Sequence, residues 1–124
     1  MASFTAPSAQ LSGSTGGRPI KVVETATPGT LIHATGAETN VLDEVTLYAC
    51  NTTATDRALT LEIGGVTDPD DRMIVTVPAQ AGWVPILVAH RLRGDGAAAR
   101  NIRAFCAAAA NAINVIGDLN RITN

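Results

Sequence analysis

The chain has little of most things that mark a chemistry. Of its 124 residues only 3% are aromatic, one Trp, one Tyr and two Phe, and only 16% are charged, with a formal net charge of −2. A basic footprint able to neutralise a nucleic-acid backbone is missing, so direct DNA or RNA binding is not expected. Scarce aromatics argue against a stacking platform for sugars. No stretch approaches the roughly 20 uninterrupted apolar residues of a membrane-spanning helix, so no membrane partner is expected. The start, Met1-Ala2-Ser3-Phe4-Thr5-Ala6-Pro7, has neither a basic region nor an apolar core. It therefore carries no visible secretory signal and points to synthesis in a cytoplasm. The two cysteines, Cys50 and Cys106, are outside any C-x-x-C spacing and lie in apolar runs. They read as reduced core residues, too few for a disulfide framework or a closed zinc site.

What the chain does have is a rhythm. From Ile20 onward, short β-branched and apolar runs are cut off by Gly, Pro, Asp or Asn: Ile20–Ala26, Leu31–Thr35, Val41–Cys50, Arg57–Ile63, Arg72–Val77, Val84–Arg91, Asn101–Ala107 and Ala112–Thr123. Such a series predicts an all-β fold, an eight-stranded antiparallel β-sandwich of jelly-roll or immunoglobulin-like type over residues 20–124. Period-two alternation assigns faces: Val45, Leu47 and Ala49 oppose Glu44, Thr46 and Tyr48, and Leu59, Leu61 and Ile63 oppose Thr60 and Glu62. The run Arg72–Val77 is apolar on both faces through Ile74, which predicts a place in the middle of the structure or under a partner. Gly117 is expected at a bulge or bend of the last strand. Residues 1–19 differ in kind, being dominated by Ser, Thr, Gly, Ala and Pro. They predict a flexible N-terminal arm whose only apolar anchors are Phe4 and Leu11.

The polar residues do not assemble into a catalytic signature. Asp68-Pro69-Asp70-Asp71 lacks the glycine and distal glutamate spacing of a calcium loop and reads as a solvated turn. His33 and His90 lie in different strands with no nucleophile at a recognisable spacing. Arg93-Gly94-Asp95 has the letters of a receptor-binding tripeptide, but a polar strand connection explains it equally. Asn51-Thr52-Thr53 matches a glycosylation acceptor and reads as a turn. The arginines Arg91, Arg93, Arg100, Arg103 and Arg121 suit carboxylates of a neighbouring subunit. No cofactor, no metal and no enzymatic activity are expected. With 46% hydrophobic residues against 16% charged, burial against partner chains is expected, in an oligomer or a larger assembly, since little charge is available to cover the outside.

Four segments carry a resemblance: Val45-Thr46-Leu47-Tyr48-Ala49-Cys50-Asn51-Thr52-Thr53, Leu59-Thr60-Leu61-Glu62-Ile63-Gly64-Gly65, Val77-Pro78-Ala79-Gln80-Ala81-Gly82, and Ile116-Gly117-Asp118-Leu119-Asn120-Arg121-Ile122-Thr123. Together they resemble small structural proteins of tailed phages and phage-like gene transfer agents, most of all the head spike base of a gene transfer agent particle. The resemblance implies a virion structural subunit, made in a bacterial cytoplasm and placed on the capsid exterior. It implies a symmetrical homo-oligomer, a pentamer among the options, with the major capsid protein and a spike fibre protein as partners. The interface residues expected are Phe4, Leu11, Ile74, Thr76, Trp83 and Arg93. A tail or tube-completion protein and a carbohydrate- or receptor-binding sandwich are the alternative readings.

Overall fold

Alternation of inward apolar and outward polar side chains produces the strands of the computed structural model, which describes residues 8–123. In chain order they are β1 (Ser8–Ala9), β2 (Ile20–Lys21), β3 (Thr30–Ala34), β4 (Val41–Asn51), β5 (Arg57–Ile63), β6 (Arg72–Val77), β7 (Val84–Leu92), β8 (Asn101–Phe105) and β9 (Ile113–Thr123). Along β4 every second residue from Asp43 to Asn51 is buried, the period a half-covered strand requires. The eight runs read from the sequence all contain a strand. The first shrinks to Ile20–Lys21, and Ser8–Ala9 adds a short ninth among the described residues.

The pairing is nested. β2 pairs with β9, β3 with β8, β4 with β7 and β5 with β6, all antiparallel. The chain is thus one long antiparallel ribbon doubled back at β5–β6. Rolling that ribbon adds the β4–β9 and β5–β8 pairs and closes two sheets, β1 and β2 beside β9-β4-β7, and β3-β8-β5-β6. This is the jelly roll, and it excludes the immunoglobulin-like alternative. Ile32, Leu47, Leu59, Leu61, Ile102 and Ile113 are fully buried between the sheets. Each contributes about 1.5–3 kcal/mol of hydrophobic stabilisation.

Three expectations are corrected. The flexible arm does not extend to residue 19: Leu11 is 3% exposed and belongs to the core, and residues 10–19 form a strap over the edge of the sandwich. The Gly13 N–H donates to the Ile32 carbonyl at 3.0 Å, and the Ala34 N–H donates to Ser12 Oγ at 2.6 Å. A Cβ on Gly13 would overlap the Leu31 and Ile32 carbonyl oxygens, so only glycine lets the strap lie this close. Second, Gly117 makes no bulge, because the β4–β9 register runs unbroken from Val41/Thr123 to Asn51/Ile113. Its missing side chain serves a close approach instead, since a Cβ there would overlap the Thr46 carbonyl oxygen and crowd Leu47 and Leu11. Third, of the two places expected for β6, the middle of the structure is excluded, since it forms the edge of its sheet, and a place under a partner stays open.

The outer face of β5 is also more covered than its alternation suggests, as Thr60 and Glu62 are both buried. Thr27 Oγ1 and the Gly29 N–H donate to the Glu62 carboxylate at 2.6 and 2.8 Å, which fastens the loop before β3 over this face. Cys50 and Cys106 both carry free thiols, the second buried. Among the described residues, no helix is long and apolar enough to cross a membrane.

Candidate interaction surface

Both sheets end on the same flank, one in β6 and the other in β7, and Arg72 and Met73 of β6 share a cleft there with His90 and Leu92 of β7. Hydrogen-bond direction along β6 follows from its neighbour. The Ile63 N–H donates to the Asp71 carbonyl at 2.8 Å, and antiparallel ladders alternate bonded and non-bonded pairs. In the register Leu61↔Met73, Thr60↔Ile74, Leu59↔Val75, Ala58↔Thr76, the odd-numbered residues therefore bond to β5. The main-chain groups of Ile74 and Thr76 point away from the sheet. The Ile74 side chain is 68% exposed beside them.

The other sheet edges are blunted by recognised devices. β7 begins with Pro85 near its start and loses register with β4 twice, at Val45/Leu47 and Leu47/Tyr48, each time carrying one extra residue. Ala89 there has φ 50°, a conformation that twists the strand away from flat pairing. Beside it Val88 is 69% exposed. The outer edge of β3 is bonded by Ser12 and Gly13, and the outer edge of β9 is covered by the two-residue strands β1 and β2.

The residues expected at an interface are only partly brought together. Ile74 and Thr76 are both exposed on β6, and Trp83, 43% exposed, lies in the connection that crosses from β6 to β7. Arg93 is exposed just past the opposite end of β7, with its guanidinium 3.4 Å from the Thr39 carbonyl oxygen. Leu11 is inside the protein, as described above. Phe4 lies outside the described residues.

The polar motifs are occupied by their own surroundings. Asp95 Oδ1 accepts the Ala97 and Ala98 N–H groups at 2.8 and 2.7 Å, and those bonds hold its carboxyl below the usual range. The acid of the Arg-Gly-Asp triplet is thereby committed to its own loop. Asp68 pairs with Arg72 at 3.1 Å, and Asp71 accepts the Thr67 N–H at 3.0 Å. Among the described residues, no three His, Cys, Asp or Glu side chains cluster as a metal site would need. Asn51 caps a turn, accepting from Thr53 and donating to the Thr55 and Val77 carbonyls.

One cluster had no signal in the sequence. His33 of β3 and Asp43 of β4 are both fully buried, and His33 Nε2 lies 2.7 Å from Asp43 Oδ2 across the two sheets. Arg121 of β9 makes a forked contact to the same carboxylate, 2.8 Å from Nε and 3.1 Å from Nη2. Burial opposes the charge on Asp43, but the hydrogen bonds from Arg121 and His33 outweigh it and hold the carboxyl below its ordinary value. The Ser12 N–H donates to His33 Nδ1 at 3.1 Å. With Nδ1 accepting, the proton sits on Nε2 and is donated to Asp43. Both ring nitrogens are thus engaged, and the group works as a clamp joining strap and sheets. No free nitrogen remains to act as a base. The three residues are too far apart in the chain for any spacing rule to link them.

No protein-family model, curated protein or solved structure matches this chain.

Proposed function

We propose that the protein is a non-enzymatic structural subunit of a phage-like particle, a head spike base or related decoration on the capsid exterior. Copies assemble about a symmetry axis, one side of the assembly docking on the major capsid protein and the other carrying a fibre. The observation that carries this reading is the flank where β6 and β7 end, with Ile74 and Val88 both more than two-thirds exposed at 68% and 69%. Apolar side chains on sheet edges are costly to leave in water and are covered when copies meet. The jelly roll is a fold in which capsid proteins are built, and it agrees with the resemblance of the four segments, as an analogy of scaffold alone. Many weak contacts repeated around an axis add to stable anchoring.

Native mass spectrometry of the purified chain tests the reading. A closed oligomer with three-, five- or six-fold symmetry is expected, and Ile74→Lys is expected to shift it toward monomer. A monomer at every concentration, together with no incorporation into particles when the chain is co-expressed with a capsid, refutes it.

A further inference from the structure

Three of the four sheet edges are closed by the protein itself, by the strap over β3, by β1 and β2 beside β9, and by the bulges and Pro85 of β7. The fourth, β6, keeps an uninterrupted register with β5 from Arg57/Val77 to Glu62/Arg72. Among the described residues, nothing bonds the outward main-chain groups of Ile74 and Thr76. A flat, regular edge of this type accepts a further extended strand. It carries no charged gatekeeper between Met73 and Val77, so the occupant has to be an uncharged extended segment with an apolar residue to cover Ile74.

We infer that the open edge of β6 takes the segment Ala2–Ala6 of a second copy of this chain as an added strand. Ala2-Ser3-Phe4-Thr5-Ala6 contains no charge and no proline, and its alternation puts Ser3 and Thr5 on one face and Phe4 on the other. An aromatic residue over a β-branched one, Phe4 over Ile74, is a favourable cross-strand pair. Pro7 lacks an N–H and ends the pairing there. Its own β6 is out of reach for this segment. Ser8 lies beside β9, three strand positions from the flank where β6 ends, about 14 Å at the usual strand spacing. The one residue between Ala6 and Ser8 spans roughly 3.5 Å. The segment leaves the β1 flank while the open edge lies on the opposite flank, so copies set side by side present one to the other, head to tail. Such a contact is heterologous and closes into a ring where the rotation between successive copies divides a full turn. The inference deepens the assembly reading above and rests, as that reading does, on copies meeting over the exposed Ile74.

The outward N–H of Thr76 makes a selective test, because proline there removes a donor to the added strand while leaving the bonds to β5 in place. Native mass spectrometry of the full chain, of Thr76→Pro and of a chain lacking residues 2–7 is expected to show association weakened roughly tenfold or more in both variants. Ile74→Lys serves as the second edge variant if Thr76→Pro does not melt cooperatively. Titrating a peptide of residues 1–7 into the isotopically labelled deletion variant is expected to shift the amide signals of Ile74 and Thr76 first. An oligomer unchanged by Thr76→Pro and by the deletion overturns this inference, and the assembly reading stands if Ile74→Lys still shifts that oligomer toward monomer. If the wild-type chain is monomeric, the peptide titration decides the edge alone, and the assembly reading fails when the chain is also not incorporated into particles. Peptide-induced shifts confined to Arg121–Thr123, or absent altogether, overturn the inference.

Discussion

Leu11→Ala separates the fold seen here from the arm that composition suggests. Leu11 is 3% exposed, packed within the core beside Gly117, so truncation removes nearly the whole of its burial. Buried Leu→Ala changes cost about 2–5 kcal/mol, the spread reflecting how far the site collapses around the gap. The strap lies at the rim of the core and is held by only a few main-chain bonds, so partial collapse is available and the lower half of that range, about 2–3.5 kcal/mol, is expected. In a domain of this length a loss of that size lowers the melting temperature by roughly 6–14 °C. The assay is thermal unfolding by circular dichroism at a concentration where the chain is dispersed, paired with hydrogen exchange of the Gly13 amide, which bonds to the Ile32 carbonyl. Exchange there is expected to accelerate before that of the β4–β9 ladder. An unchanged melting temperature with weakened association would refute the reasoning, because it would put Leu11 on a neighbour rather than in its own core.

The clamp predicts an acid dependence. Asp43 titrates below its ordinary value of 3.8 in the folded state, so its contribution is complete above that value and is lost as the pH falls through the lower, folded one. The melting temperature is expected to fall below about pH 4, and Asp43→Asn to flatten part of that slope. At neutral pH the same variant is expected to cost about 2–3 kcal/mol, less than a fully buried pair because Arg121 is partly solvated. A full acid slope in Asp43→Asn would remove Asp43 from the account. Gly117→Ala is expected to destabilise by about 1–3 kcal/mol, since the added methyl meets the Thr46 carbonyl oxygen, a backbone atom that cannot turn aside, besides crowding Leu47 and Leu11. Calorimetry that finds it neutral would mean that β4 and β9 separate without cost.

The strands and their faces were legible because alternation is a local property. Val45, Leu47 and Ala49 face inward wherever β4 pairs. The exposure of Ile74 was not legible, because apolar residues on both faces of a strand read as burial, and whether β6 lies inside a sheet or at its edge is a property of topology. Glu62 does lie on the face opposite Leu59 and Leu61, but its burial there was not legible, because it is created by Thr27 and Gly29, which arrive from a distant loop. Leu11 was misplaced because Ser- and Gly-rich composition describes the cost of ordering a segment, not the core groove that repays it. Trp83 and Arg93 are both expected at an interface, yet they lie just beyond opposite ends of β7.

By itself the amino-acid sequence determined where the β-strands lie, which side chains turn inward, and that little charge is available for the surface, since each depends on neighbours one or two residues away. Only the tertiary structure decided the nested pairing of the jelly roll, the His33–Asp43–Arg121 clamp, and which sheet edge stays open. Those features join residues separated by up to most of the chain, and the free energy that selects them arises from contacts no local pattern encodes.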